Sequence, residues 1–248
     1  MVKIELKADE RLDHLLAQQL RIVQSPSVFS FSLDAVLLAN FCRIPYRKGK
    51  IMDLCSGNGV IPLLLSSKTE SLIDALEIQP RLAEMATRSI AYNDLAQQIT
   101  MYEGDLKEAS GRFEKETYAY VTVNPPYFST PPAGEKNKNE HYTIARHEVL
   151  CTLEDVVKTA SELTKQNGKV GMVHRPERLL EIIDLMRRYR LEPKRIQWVH
   201  PTQMKPANTI LIEAIKDGKP GVVYEPPIFV HEDGGYTAQI RGWLYGED

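Results

Sequence analysis

The sequence predicts an α/β fold in which a mostly parallel sheet carries helices on both faces. Three observations predict it. From Lys50 onward, short β-branched and apolar runs alternate with stretches of helical periodicity. Glycine, proline and polar residues punctuate the joints between them. Parallel strands need crossover helices, and those helices cover both faces of the sheet.

The 248 residues suffice for one such domain plus an appendage. A hydrophobic content of 43% with 26% charged residues is that of a soluble globular chain. The formal net charge of −2 gives no global field for a polyanion, so a nucleic-acid partner needs a local basic face. Cys42, Cys55 and Cys151 form no C-x-x-C, and the six histidines show no ligand spacing. A disulfide framework and a bound metal are therefore not expected, and a cytoplasmic setting is. The amino terminus alternates charges without an apolar core, and the apolar run Val60 to Leu65 is far too short to span a bilayer. No secretion signal or membrane segment is expected. Nothing demands a partner copy, and a monomer is expected.

Residues 1–48 read as an N-terminal extension of helix, short hairpin and helix, and residues 49–248 as the main domain. In the extension, a short helix is predicted over Leu12–Gln19 and a strand over Leu20–Gln24. A turn at Ser25-Pro26-Ser27 and a second strand over Val28–Phe31 follow. Asp34 to Cys42 then forms a helix, closed by Pro45 and a basic stretch. Core strands are predicted at Ile51–Leu54, Leu72–Glu77, Ile99–Tyr102, Ala119–Val123, Lys169–Val173, Arg195–Val199 and Thr209–Ile215. The helix from Leu153 is clear. Leu153, Val156, Val157, Ala160 and Leu163 share one face, Thr152 and Asp155 make a capping box, and Asn167-Gly168 offers a left-handed end. Leu179 to Met186 marks the next helix.

Ligands of such sheets bind beyond the carboxyl ends of the strands. The first core strand runs into Asp53, Leu54, Cys55, Ser56, Gly57, Asn58 and Gly59, with Pro62 in the first turn of the helix behind it. The dinucleotide fingerprint fails, because Pro62 stands where its third glycine belongs, and no phosphate-loop lysine follows. Alone, this turn reads equally as a plain strand–helix joint. The second strand ends at Glu77-Ile78, and its carboxylate suits two ribose hydroxyls. The third is followed by Asp105-Leu106, where the acid either accepts from an adenine amino group or caps a turn. Together, Asp53, Glu77 and Asp105 suit a ligand that holds an amine, a ribose and an adenine.

This set resembles the S-adenosyl-L-methionine site of class I methyltransferases. The resemblance implies their Rossmann-like seven-stranded mixed sheet, with one strand antiparallel at or beside Thr209–Ile215. It also implies that the Asp53–Gly59 loop passes the methionine part, Glu77 holds the ribose and Asp105 reads the adenine. The cofactor-binding set is then Asp53, Cys55, Ser56, Gly57, Asn58, Gly59, Glu77, Ile78, Asp105, Leu106 and Asn124. Cys55 departs from the family, standing where a first glycine is usual.

The fourth strand delivers Asn124-Pro125-Pro126-Tyr127. Asn124 and Pro125 both precede proline and are held extended, while Pro125 and Pro126 have a locked φ and no N–H. The stiff corner offers two fixed acceptors, the Asn124 side-chain oxygen and the Pro125 carbonyl. A delocalised NH₂ group is a poor nucleophile, and two acceptors on its hydrogens aim its lone pair at a methyl sulfonium without a strong base. Tyr127 offers a face for stacking, extended by Phe128. The catalytic set is Asn124, Pro125, Pro126 and Tyr127.

NPPY serves adenine-N6 methyltransferases of DNA and RNA and enzymes that methylate a glutamine amide in release factors. The stretches VQSPSVFSFSLDAVLLANF, NPPYF, IARHE, KRIQWVHP, ANTILIEAIKDGKPG and YEPPIFVHEDGGYT together resemble the bacterial tRNA(Val) adenine-N6 methyltransferase family, of the methyltransferase small domain group, over nearly the whole chain. The resemblance implies tRNA as partner and an adenine beside the anticodon as target. A loop base is already largely unpaired, so it flips into a pocket more cheaply than a duplex base. Methylation of a protein glutamine and a non-catalytic RNA-binding role remain open alternatives at this point. Candidate RNA contacts are Arg43, Arg47, Lys48 and Lys50, then Lys136 and Lys138, and a group from Arg187 to Arg195. Arg146 lies at the expected substrate entrance. Phe29, Phe31 and Asp34 are candidates for a cofactor lid or for packing the extension onto the core.

Overall fold

The computed structural model describes residues 4–28, 30–128, 148 and 150–247. The candidates Phe29, Lys136, Lys138 and Arg146 lie outside these residues.

A hairpin of β1 (Arg11–Leu15) and β2 (Leu20–Gln24) comes first, then α1 (Leu33–Phe41). The central alternation is β3 (Lys50–Leu54), α2 (Val60–Ser66), β4 (Ile73–Glu77), α3 (Pro80–Tyr92) and β5 (Ile99–Glu103). After the single turn α4 (Ala109–Arg112) come β6 (Tyr118–Val123), α5 (Leu153–Leu163), β7 (Thr164–His174), α6 (Leu179–Arg188), β8 (Leu191–His200) and β9 (Thr209–Lys216). The chain closes with short strands β10 (Val223–Tyr224), β11 (Ile228–Phe229), β12 (His231–Glu232) and β13 (Gly235–Tyr236), and α7 (Ala238–Tyr245).

The seven long strands take the order β8-β9-β7-β6-β3-β4-β5, and β9 runs antiparallel to both neighbours. The remaining pairs among them are parallel. Strands β10 and β11 add to the outer edge at β8, which widens the expected seven-stranded sheet to nine. From β3 the chain steps outward through β4 to β5, then returns to β6 on the other side of β3. The topological switch point lies between β3 and β6, where a crevice opens beyond the strand ends.

Each face of the sheet has its own core. Helices α1, α2 and α7 bury Leu37, Leu38, Leu63, Leu65 and Ile240 on one. Helices α5 and α6 bury Val157, Ala160, Leu163, Ile182 and Met186 on the other. Helix α1 is apolar nearly all round, with Ala35, Val36, Leu37, Leu38, Ala39 and Phe41 all buried. A helix without a polar face has to be enclosed. Its enclosure fixes Asp34, in its first turn, at the carboxyl ends of the strands. The Thr152–Asp155 capping box opens α5 as expected.

Three local expectations are corrected. Arg11–Leu15 is a strand, paired residue by residue with Leu20–Gln24, and only Leu16–Gln18 coils. The Leu, Ala and Gln content favours helix, but pairing with β2 overrides that weak preference. Gln19, at φ 57°, turns the hairpin. Val28–Phe31 forms no strand among the described residues, because β1 already occupies that edge of β2. The Ser25 hydroxyl donates to Asp9 at 2.7 Å, the Ser27 hydroxyl donates to the same carboxylate, and the turn closes there. Asn167 is left-handed as read, at φ 58°, but it lies inside β7, after α5 has already ended at Leu163.

Candidate active site

A cavity of about 620 Å³ opens at the switch point. The loop after β3 forms its floor. Ser56 N–H donates to the Leu76 carbonyl at 3.0 Å, and Gly59, at φ 82°, starts α2. A Cβ on Gly59 would stand 2.9 Å from Ala86 Cβ, so only glycine lets the loop lie against α3. Cys55 takes the left-handed region at φ 57°. The loop thus keeps a geometry that glycine adopts freely, at a cost of about 1 kcal/mol. The Cys151 thiol beside it, and then burial, hold the Cys55 thiol well above its ordinary pKa. Both thiols line the cavity, and Cys55 does not act as a thiolate at neutral pH.

Glu77 ends β4 and locks this loop. Its Oε2 accepts from Gly57 N–H and its Oε1 from Gln79 N–H, each at 2.8 Å. Burial raises its pKa, while these backbone donors pull the other way. The Ile78 N–H is a third backbone donor to it, and a carboxylate has about four acceptor positions, so one remains for a ligand hydroxyl. Asp105 lines the far wall, accepts from Lys107 N–H at 2.9 Å and lies 3.4 Å from Lys107 Nζ. It caps a turn and lines the cavity at once. Ile78, Leu82 and Leu106 give this side apolar walls suited to a flat ring.

Two cofactor-set residues work beneath the cavity or across it. Asp53 is fully buried and does not line the space. Thr122 Oγ1 donates to its Oδ1 at 2.6 Å, and Oδ2 has no hydrogen-bond partner among the described residues. Burial pushes its pKa up to about 7. Asn58 lines the cavity, but its amide donates to Val23 O at 3.2 Å and ties the glycine loop to β2.

The raised Asp53 pKa has a measurable sign. The folded state holds this proton up to about pH 7, whereas the unfolded chain releases it near the ordinary value of 3.8. Stability from this group is complete below the unfolded pKa and is lost as pH rises through the folded one. His174 runs oppositely, since burial lowers it to about 4, so the comparison has to be with a variant. Asp53→Asn is expected to gain on the wild type by about 1.4 kcal/mol per pH unit between those limits. Urea unfolding at pH 5 and pH 8 measures it, and a pH-independent difference would refute the assignment.

The NPPY corner leaves β6 on the opposite wall, and Asn124, Pro125, Pro126, Tyr127 and Phe128 all line the same cavity. The Tyr127 hydroxyl lies 2.6 Å from Asn124 Oδ1 and 3.1 Å from Asp34 Oδ2. The Tyr127 ring is not a bare platform. The Arg175 guanidinium lies over it at 4.6 Å and the His174 ring stands 5.2 Å away. Phe128 is 48% exposed and offers an accessible face.

Sequence reasoning passed over Leu76, Gln79, Leu82, Leu150, Cys151 and Arg175 as lining residues. Arg175 carried a signal, since it follows the end of the fifth core strand directly. Phe31 and Asp34, candidates for a lid or for packing, both line the cavity, and Phe31 also packs against the core.

Among the described residues, the basic groups expected at RNA are displaced from the site. Lys50 opens β3, and the Arg187–Lys194 group sits where β8 begins. Both positions are amino ends of strands, opposite the cavity. There Arg43 pairs with Glu225, Arg47 with Glu70, Arg188 with Glu154 and Arg190 with Asp217. Arg195 is folded against Glu213 and Glu225.

The donor set fits S-adenosylmethionine. It has the Glu77 carboxylate facing the cavity where a ribose would lie and apolar walls for a purine. At the loop it adds the buried hydroxyl of Ser56, which lines the cavity. Among the described residues no cluster could hold a metal, and no helix is long and apolar enough to cross a membrane.

Comparison with known proteins agrees. The model of the methyltransferase small domain matches residues 19–188. A tRNA1(Val) (adenine(37)-N6)-methyltransferase of Parabacteroides distasonis is 29% identical over 87% of this chain and 85% of its own. Its namesake in Photobacterium profundum is 23% identical over 84% and 87%. Among solved structures, a predicted O-methyltransferase from Agrobacterium tumefaciens superposes with a TM-score of 0.66 at 24% identity, covering 86% of this chain and 96% of that one. A Pyrococcus horikoshii TYW2 in complex with MeSAdo gives 0.59 at 10% identity, over 86% and 73%, a likeness of fold. The chain belongs to the methyltransferase small domain family and is an S-adenosylmethionine-dependent methyltransferase.

Proposed function

We propose that the protein methylates N6 of an adenine in tRNA, in the anticodon loop beside the anticodon. The observation that carries this reading is the proline-stiffened corner, which lines the same cavity as Glu77 and the glycine loop. The names borne by the relatives support the substrate class.

S-adenosylmethionine supplies an electrophilic methyl group. In this reading Glu77 holds the ribose hydroxyls, Asp105 faces the adenine edge, and the Cys55–Gly59 loop carries the methionine part. Asn124 Oδ1 and the Pro125 carbonyl accept from the two hydrogens of the target amino group. That draws its lone pair out of conjugation and aims it along the displacement. Bound S-adenosylmethionine would give up its methyl group to that nitrogen and leave as S-adenosylhomocysteine, and the amino group would release one proton to solvent. Phe128 meets the face of the flipped base, and stacking of this kind contributes about 1–3 kcal/mol. Among the described residues, Arg175 lines the cavity, Lys107 lies beside Asp105, and Lys205 is exposed on the loop between β8 and β9.

The test offers methyl-tritiated cofactor with tRNA from a deletion strain and, side by side, a peptide-chain release factor. Label is expected in tRNA, as N6-methyladenosine placed by mass spectrometry in the anticodon loop. Label found only in the protein would transfer the same corner to a glutamine amide and overturn the proposal.

A further inference from the structure

One proton at the NPPY corner faces two acceptors. The Tyr127 hydroxyl stands 2.6 Å from Asn124 Oδ1 and 3.1 Å from Asp34 Oδ2. Burial and the neighbouring Asp34 charge hold this phenol well above its ordinary pKa, so it keeps that proton. If the proton points at Asn124, the oxygen that substrate needs is already used. Among the described residues the Asn124 side chain has no other hydrogen-bond partner.

Asp34 is built to compete for the proton. It sits in the first turn of α1, and its side chain is 14% exposed. Ser32 Oγ donates to Oδ2 at 3.3 Å and Thr209 Oγ1 to Oδ1 at 3.4 Å. Arg175 Nη2 is 3.6 Å from Oδ2, and Arg175 is itself anchored on the Asn208 carbonyl at 2.8 Å. A carboxylate accepts a hydroxyl proton more strongly than an amide oxygen does. With the proton on the Asp34 side, Asn124 Oδ1 and the phenol oxygen would face each other lone pair to lone pair. A half-turn about the Asn124 Cβ–Cγ bond exchanges groups of equal size and makes Nδ2 the donor to Tyr127.

We infer that Asp34 is a positioning residue for methyl transfer. It accepts the Tyr127 proton, Tyr127 accepts from Asn124 Nδ2, and Asn124 Oδ1 is left turned to the substrate amino group. This inference rests on the reading of Asn124 as the amine acceptor. It makes α1, in the N-terminal segment, part of the machinery that orients the fourth-strand motif.

The kinetic test is Asp34→Asn in the wild type and in Tyr127→Phe, with thermal melting and S-adenosylhomocysteine affinity as controls. Asp34→Asn is expected to lower kcat by about 10- to 100-fold, leaving KM for tRNA and cofactor affinity unchanged. In Tyr127→Phe the same change is expected to cost nothing further, because the relay is already cut. An unchanged kcat, or an equal loss in both backgrounds, overturns the inference, since the second outcome means that Asp34 acts through packing. Neutron diffraction of the wild type in D₂O reads the corner without activity. A deuteron on the Tyr127–Asp34 line with the Asn124 ND₂ facing Tyr127 sustains the inference, and a deuteron on the line to Asn124 Oδ1 overturns it. If the wild type labels no tRNA, the proposed function fails and the neutron result alone decides this point.

Discussion

Asn124→Ala is expected to lower methyl transfer by about 100- to 1000-fold, which corresponds to about 2.7–4 kcal/mol of lost transition-state stabilisation. Alanine removes the side-chain acceptor but leaves the extended backbone, because Pro125 still restricts residue 124. The cavity floor and Glu77 are untouched, so the dissociation constant for S-adenosylhomocysteine should move by less than about threefold. Single-turnover transfer of tritium to tRNA, read beside calorimetric titration of the product cofactor, separates the two quantities. Turnover close to that of the wild type would remove the amine-gripping role of the corner. A parallel collapse of cofactor affinity would show instead that Asn124 serves chiefly to shape the cofactor site.

Glu77→Ala has the reverse signature. Its two carboxylate oxygens hold the N–H groups of Gly57 and Gln79, both at 2.8 Å. Each buried donor left without a partner costs about 1–3 kcal/mol, partly offset because the carboxylate no longer has to be desolvated. The glycine loop then loses its tie to β4, and the ribose loses its acceptors. Cofactor affinity is expected to fall at least about 100-fold, with a lowered melting temperature, while saturating cofactor restores much of kcat. Loss of kcat with unchanged cofactor affinity would move Glu77 out of the binding site.

The two variants mark how much of the site is legible in the chain alone. Glu77 and Asn124 are found from sequence because each ends a strand, and strand ends in a parallel sheet point at one crevice. Helix α1 is legible too, as a dense apolar run. Its neighbour β1 is not, because the stretch Leu12–Gln19 has the local preferences of a helix, and its first half is decided by its pairing partner. The RNA-facing surface escapes sequence reading for a related reason. Sequence shows where positive charge lies along the chain, but not that Arg47 meets Glu70 or Arg190 meets Asp217 at the far end of the sheet.

By itself, the sequence determined where the core strands fall along the chain and which residues close each of them. Backbone alternation, glycine freedom and proline rigidity are local, and they act at the residue that carries them. Only the tertiary structure decided that Asp34 reaches Tyr127 from 93 residues away, that Arg175 covers the tyrosine ring, and that Asp53 is sealed beneath the loop at a pKa of about 7. Such facts depend on which surfaces are buried together, and burial is a property of the whole packed chain.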